Sequence, residues 1–302
     1  MKLAFVIVNF HSDEDSLSII RDLLTNDPVK DVEVYIYAVD NSRSHNFKEA
    51  LKDKQRVIYV DSPYGNVGFA GGNNLGMKKA LADKADIICL INNDTQAPKD
   101  LVKNIINSPI SDPKIGVVGG LIYFAKGFEF KKGYKPDEKG RVIWFAGGNF
   151  DWDNILGSND NVDVIDNGQF KQNIDTEFVT GALFITKAEV LGKVGLFDEK
   201  YFMYLEDMDL CQRIVKSGYH LMVDPQIKIW HKVAQSSGIG SDLNDYFITR
   251  NRLLFGFKYA KLRTKFALLR EAVKFIVSGR PPQKQGVKDF FMGRFGKGTW
   301  LK

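Results

Sequence analysis

Along the first 120 residues, short apolar runs alternate with segments whose apolar residues recur every three or four positions. The runs at 3–8, 32–39, 57–60, 87–91 and 117–123 are rich in Val, Ile and Leu and are too short for helices. They predict strands with both faces covered. Between them, 16–24, 74–82 and 99–106 carry a helical period. This alternation predicts an α/β fold, a mainly parallel central sheet with flanking helices. The runs end in polar residues: Asn9, then Asp40-Asn41-Ser42, Asp61 and Asn92-Asn93-Asp94. Ligands of open α/β sheets lie beyond the carboxyl ends of the strands. One polar strand end reads equally well as a turn; four in succession favour a site.

The pattern changes after residue 126. From 127 to 172 the chain is rich in Gly, Asp, Asn and Lys, which predicts hairpins and a long loop beside the sheet. Order returns with a strand at 178–185, a short helix at 187–193, a helix at 207–217 ended by Gly218, and strand-like pieces at 221–223 and 227–230. Beyond Asp242 the pattern is helical to about 277, where Gly279 and Pro281-Pro282 break it. The organisation expected is a catalytic domain over 1–240, divided into halves at 1–125 and 126–240, and a basic amphipathic helical extension over 241–302.

Charge sharpens the last boundary. The net charge is +5, yet from Arg250 onward 14 Lys/Arg face two acids, Glu271 and Asp289. The rest holds 28 Lys/Arg against 35 Asp/Glu. A mildly acidic body thus carries a strongly basic end, which calls for an anionic partner. The two cysteines, Cys89 and Cys211, lie in apolar or mixed surroundings and read as buried free thiols. No Cys/His cluster points to zinc. The first residues lack the layout of a signal peptide, and no apolar stretch approaches the roughly 18 residues of a spanning helix.

Three segments carry candidate chemistry. The run from Gly65 to Asn74 holds four glycines and leads toward a helix, a place where backbone N–H groups meet anions. It lacks the GK[ST] ending of a P-loop and the spacing of a dinucleotide fingerprint. Asn92-Asn93-Asp94 closes an apolar strand; a carboxylate there can hold a hard cation that also binds pyrophosphate, although the tripeptide is good turn chemistry as well. Glu206, Asp207 and Asp209 fall at a predicted helix start, just after an aromatic run. They suit the helix dipole, and one of them suits a general base near an apolar wall. His231 ends a strand-like run; a lone His is usually structural, but with a carboxylate it can complete a metal shell.

In this order the motifs resemble the family 2 glycosyltransferases with a GT-A fold, and their bacterial rhamnosyltransferase-like branch. The similarity rests on Val6-Ile7-Val8-Asn9-Phe10, Val39-Asp40-Asn41-Ser42, the run from Asn66 to Asn73, Leu90-Ile91-Asn92-Asn93-Asp94 and Thr180-Gly181-Ala182. It continues through Gly195 to Leu210, His231 and Arg250-Asn251. The resemblance implies an inverting transferase using Mn²⁺ or Mg²⁺. Asn9 and Asp40 would contact the nucleobase or ribose. Asn66, Gly72 and Asn73 would line the donor pocket with Asn92. Asp94 would match the last acid of a metal-binding DxD, with Asn92 where the family often has Asp. His231 would ligate the metal, Asp207 would be the catalytic base, and Arg250 would lie near the diphosphate or acceptor.

The resemblance further implies a nucleotide-sugar donor, dTDP-L-rhamnose first, with galactofuranosyl or other hexosyl donors as alternatives. The acceptor would be a glycan or lipid-linked intermediate of bacterial surface polysaccharide. The expected location is cytoplasmic and peripheral, with the basic end against the anionic inner face of the membrane; a second copy of the chain is the other partner the sequence allows. A catalytically silent assembly protein is the competing reading. A nucleotidyltransferase would carry a Gly-rich loop after the first strand, where this chain has Asn9-Phe10-His11-Ser12. No nucleic acid is expected as a partner: that candidate is the weakest, because the basic residues sit on an amphipathic helical tail with no recognition motif beside them.

Overall fold

The computed structural model describes residues 1–233 and 240–300; the last two residues of the predicted extension lie outside them. The first half runs β1 (Lys2–Asn9), α1 (Asp13–Leu24), β2 (Glu33–Asp40), α2 (His45–Leu51), β3 (Val57–Asp61), α3 (Gly68–Ala82), β4 (Ile87–Ile91), β5 (Thr95–Gln96), α4 (Leu101–Asn107) and β6 (Ile115–Phe124). Then come β7 (Ile143–Phe145), β8 (Gly148–Asp151), β9 (Leu156–Asn159), β10 (Ile174–Asp175), β11 (Leu183–Lys187), α5 (Ala188–Val194), α6 (Glu206–Lys216) and β12 (His220–His231). Three helices follow: α7 (Asp242–Tyr259), α8 (Leu262–Ser278) and α9 (Pro281–Phe291).

The main sheet has the order β10-β12-β6-β11-β4-β1-β2-β3. β1 pairs parallel with β2 and β4, β2 with β3, and β6 with β12. β11 is inserted antiparallel between β4 and β6. The carboxyl ends of β1, β2, β4, β6 and β12 therefore share one side of the sheet with the amino end of β11. The predicted runs at 3–8, 87–91 and 117–123 are buried almost throughout, as expected for strands covered on both faces; 32–39 is buried from Ile36 on, and 57–60, in the edge strand β3, is only half-buried. Both cysteines are buried and free.

Four local expectations change. The glycine-rich run is not a loop before a helix; from Gly68 on it is the helix α3 itself. A Cβ on Gly76 would lie 2.3 Å from Val6, and one on Gly72 would lie 2.8 Å from Val8 and Asn41. These glycines let α3 press onto β1 and β2. The strand expected over 178–185 begins only at Leu183, because the Val179 N–H goes to Cys211 Sγ and the Gly181 N–H to Asp207. The pieces at 221–223 and 227–230 are one strand, β12, with an irregularity between Asp224 and Lys228. The break at Gly279 and the two prolines does end α8, at Ser278, but a new helix starts at once, with the prolines in the first turn of α9, where their missing N–H groups cost nothing.

The helical end shares a core with the body. Leu253, Phe255, Leu268, Ala272 and Val287 pack with Phe150, Ile155, Tyr201 and Leu205. Asp209 of α6, fully buried, accepts from Lys258 Nζ (2.6 Å), Tyr259 Oη (2.8 Å) and Arg213 Nε (2.8 Å), tying α6 to α7.

Candidate active site

The floor is built at the ends of β1 and β2. Asn9 and Asp40 are both fully buried. Asn9 donates to Asp13 (2.8 Å) and Ser42 (3.2 Å) and accepts from Ser16 Oγ (2.8 Å). Asp40 accepts from the backbone N–H groups of Ser42 (3.0 Å) and Ser44 (2.7 Å), from Ser42 Oγ and from Tyr59 Oη. Both residues are thus engaged in shaping the 40–44 turn. Asn93 extends the network by donating to Ser16 Oγ at 3.0 Å, which joins the end of β4 to the end of β1.

Asp94 and His231 meet because β5 pairs antiparallel with the end of β12, Thr95 opposite His231. The Lys232 N–H donates to the Asp94 carbonyl at 2.9 Å. His231 Nε2 lies 3.0 Å from Asp94 Oδ1 and 3.5 Å from Asn92 Nδ2. Burial pushes the Asp94 carboxyl up, but the His231 hydrogen bond and charge outweigh it and leave the group below its ordinary range. His231 is buried, its Nδ1 has no partner among the described residues, and Trp144 packs edge-on against the ring at 4.8 Å.

Asp207 stands in the first turn of α6. Its Oδ2 accepts from the Gly181 N–H at 3.0 Å and its Oδ1 from the Met208 N–H at 2.8 Å. One residue on, the Ala182 carbonyl accepts from the Asn92 N–H at 3.1 Å. The turn 180–182 thus couples Asp207 to the strand end that carries Asp94. Dense surroundings raise the Asp207 carboxyl, and its backbone hydrogen bonds only partly offset this. Its neighbour Glu206 is raised well above the ordinary range, by burial first and by the Asp207 charge second, and its Oε2 has no partner among the described residues.

The remaining candidates sit elsewhere. Asn66 accepts from the Gly68 N–H at 2.9 Å and shapes the entry to α3. Gly72 and Asn73 are buried inside α3; Asn73 donates to the Phe69 carbonyl at 3.0 Å. Both take part in the packing of that helix. Arg250, expected near the diphosphate or acceptor, is fully buried in α7. Its guanidinium donates to the carbonyls of Gly296 (2.7 Å), Tyr201 (2.9 Å) and Lys200 (3.2 Å). Asn251 donates to Tyr201, Met203 and Tyr204. Both residues clamp the segment before Asp207, in which Phe202, Tyr204 and Leu205 all hold positive φ. A positive φ is costly for large side chains.

The chain matches the family described as "Glycosyl transferase family 2" over residues 5–193. That stretch includes the strand ends and Asp94, and it covers more than half of the sequence. The chain belongs to this family. The family match stops before α6, so Asp207, His231 and Arg250 lie outside it. An N-acetylglucosaminyl-diphospho-decaprenol L-rhamnosyltransferase of Mycobacterium tuberculosis is 38% identical over 61 residues, 20% of this chain and 20% of that protein. The aligned region thus spans a fifth of that relative's length. The low-salt glycan biosynthesis hexosyltransferase Agl10 of Haloferax volcanii is 23% identical, covering 83% of this chain and 74% of its own. The dTDP-rhamnosyl transferase RfbF of Shigella flexneri is 24% identical, covering 75% and 72%. Among solved structures, GalNAc-T7 with UDP, GalNAc and Mn²⁺ superposes with a TM-score of 0.61 at 16% identity, over 93% of this chain and 58% of that one. The family 2 member has the GT-A glycosyltransferase fold.

Sequence reasoning missed several residues around the family 2 site. Ser16 and Asp13 bind Asn9, Trp144 packs on His231, and Gly181 holds Asp207. Thr180-Gly181-Ala182 was marked only by the resemblance. Trp144 lies on β7, in the stretch whose composition gave no strand register.

Proposed function

We propose that this protein is an inverting glycosyltransferase that moves L-rhamnose from dTDP-rhamnose onto a glycan or lipid-linked acceptor. The observation that supports transfer most is the coupling just described: Asp207 and the Asp94/His231 pair are joined through the turn 180–182, at the carboxyl ends of the sheet. An inverting transfer needs one base and one site for the departing diphosphate. The acceptor hydroxyl attacks the anomeric carbon, the bond from that carbon to the diphosphate oxygen breaks, and Asp207 takes the hydroxyl proton. Its raised carboxyl suits this work, since a base is most effective when its pKa nears the working pH. Burial and the neighbouring Asp207 charge push the Glu206 carboxyl well above its ordinary range.

Asp94 and His231 fit a divalent cation: a carboxylate oxygen and an imidazole nitrogen converge within 3.0 Å of each other. No third His, Cys, Asp or Glu joins them among the described residues. Diphosphate oxygens and water would therefore complete the shell. A mixed nitrogen and oxygen set suits Mn²⁺ better than Mg²⁺, which prefers oxygen and retained water. When bound, the cation would neutralise charge on the leaving diphosphate.

The sugar is taken from the relatives named for rhamnosyl transfer; Agl10, named a hexosyltransferase, keeps other hexosyl donors as the alternative. The protein works at the anionic inner face of a membrane, a reading supported by its basic end. The test is a panel of nucleotide sugars read by nucleotide release, with Mn²⁺, with Mg²⁺ and with chelator. Release from dTDP-rhamnose above all others is expected. Release from none of the panel would favour a silent assembly protein.

A further inference from the structure

Helix α8 turns one face inward and leaves the other without a partner. Thr264, Leu268 and Ala272 are buried, and Glu271 pairs with Arg252 of α7 at 3.0 Å. On the opposite side Leu262, Phe266, Val273 and Val277 are 73%, 63%, 64% and 74% exposed. At 3.6 residues per turn these positions fall on one stripe, together with Ile276. A contiguous apolar stripe of this kind marks an interaction surface. The same helical spacing places Arg263, Arg270 and Lys274 along one border and Lys265 along the other. None of these four makes an ion pair among the described residues, and the only acid in α8 is the inward Glu271.

We propose that this outward face of α8 docks on an anionic lipid surface. The apolar stripe enters the head-group boundary, and the bordering Arg and Lys meet lipid phosphates. The inference rests on the membrane attachment proposed above and names the face that makes it. Within the basic end it selects α8 over the apolar residues of 290–295. Phe290 packs on Phe257 and Phe295, with ring centroids 5.2 and 6.2 Å apart. Asp289 is fully buried and accepts from Thr299, and Trp300 stacks on Tyr246. Much of that segment is therefore occupied in holding α9 to α7. A two-fold dimer through α8 would set four cations against their own copies with no acid between them, so lipid fits the charge better.

The full chain is tested by flotation with vesicles of phosphatidylcholine alone, or with about 30% phosphatidylglycerol, at low and high salt. Binding to the anionic vesicles only, and release by salt, is expected. Phe266→Glu/Val273→Glu alters exposed positions and should bind these vesicles at least tenfold more weakly, with dTDP binding unchanged. If that variant floats like the wild type while Phe291→Glu/Met292→Glu does not, attachment stands and the α8 assignment falls. A wild type that ignores anionic vesicles overturns the attachment reading itself. A concentration-dependent dimer that the α8 variant dissolves, without vesicle binding, makes a second copy the occupant.

Discussion

Asp207 accepts the Gly181 N–H at 3.0 Å, and this single bond registers α6 against the turn that leads into β11. A Cβ on Gly181 would lie 2.8 Å from the Phe69 ring, so the turn is held from the other side by α3. The candidate base is thus fixed by backbone and packing, while no side-chain cation among the described residues pairs with it.

That arrangement makes Asp207→Asn an informative change. The amide keeps the shape and removes the base. Turnover should fall by roughly 10²-fold or more, with dTDP affinity little changed. Because the ionised form is the active one and burial raises the carboxyl, wild-type activity should decline on the acid side at a pH above the ordinary aspartate range. Residual Asn-variant activity should lack this limb. Wild-type turnover by a folded variant would remove Asp207 from the mechanism.

Asp94→Ala and His231→Ala should each weaken Mn²⁺-dependent binding of dTDP, measured by calorimetry with and without metal. Losing one of two protein ligands should cost at least tenfold in metal affinity, while metal-free binding stays near the wild-type level. Equal activity of the wild type in excess chelator would show that the pair does not serve a metal.

Glu206 should show itself in stability. Its protonated form is favoured in the fold. Its contribution is therefore complete below the unfolded glutamate pKa of about 4.3 and is lost as pH rises through the raised folded value. Glu206→Gln cannot ionise. The difference in Tm between variant and wild type should shift toward the variant as pH rises from about 5 to about 8. A difference that stays flat would mean that Glu206 is ionised in the fold.

The sheet was legible because strands covered on both faces write themselves as unbroken apolar runs. The strand-end residues followed from the same pattern. α2 was not legible: its inward side needs only Phe47 and Leu51, too few for a period. α3 was read short because glycine normally weakens helices, and only the close approach of Val6 and Val8 explains Gly72 and Gly76 within one. The meeting of Asp94 with His231 depends on a two-residue strand, β5, that leaves no pattern at all. Asp209 looked like a helix-capping acid and proved to be a buried hub, because its partners Lys258 and Tyr259 lie far along the chain.

The role of Arg250 was hidden for a related reason: the motif Arg250-Asn251 names the residues but not what they hold. Arg250→Met keeps the bulk and leaves three backbone carbonyls without their charged donor. Hydrogen bonds to a charged group contribute about 1.5–3 kcal/mol each, and losses within one network are not additive. A total near 3 kcal/mol is expected, read as a fall of several degrees in Tm. The segment released contains the positive-φ residues Phe202, Tyr204 and Leu205 and runs directly into Glu206 and Asp207. Turnover should therefore drop along with stability, while dTDP binding in the presence of Mn²⁺ is retained. Arg250→Lys should recover little, since an ammonium cannot reproduce the planar fork that reaches Gly296 and Tyr201 together. A large loss of dTDP affinity at unchanged Tm would return Arg250 to the diphosphate and refute its role as a clamp.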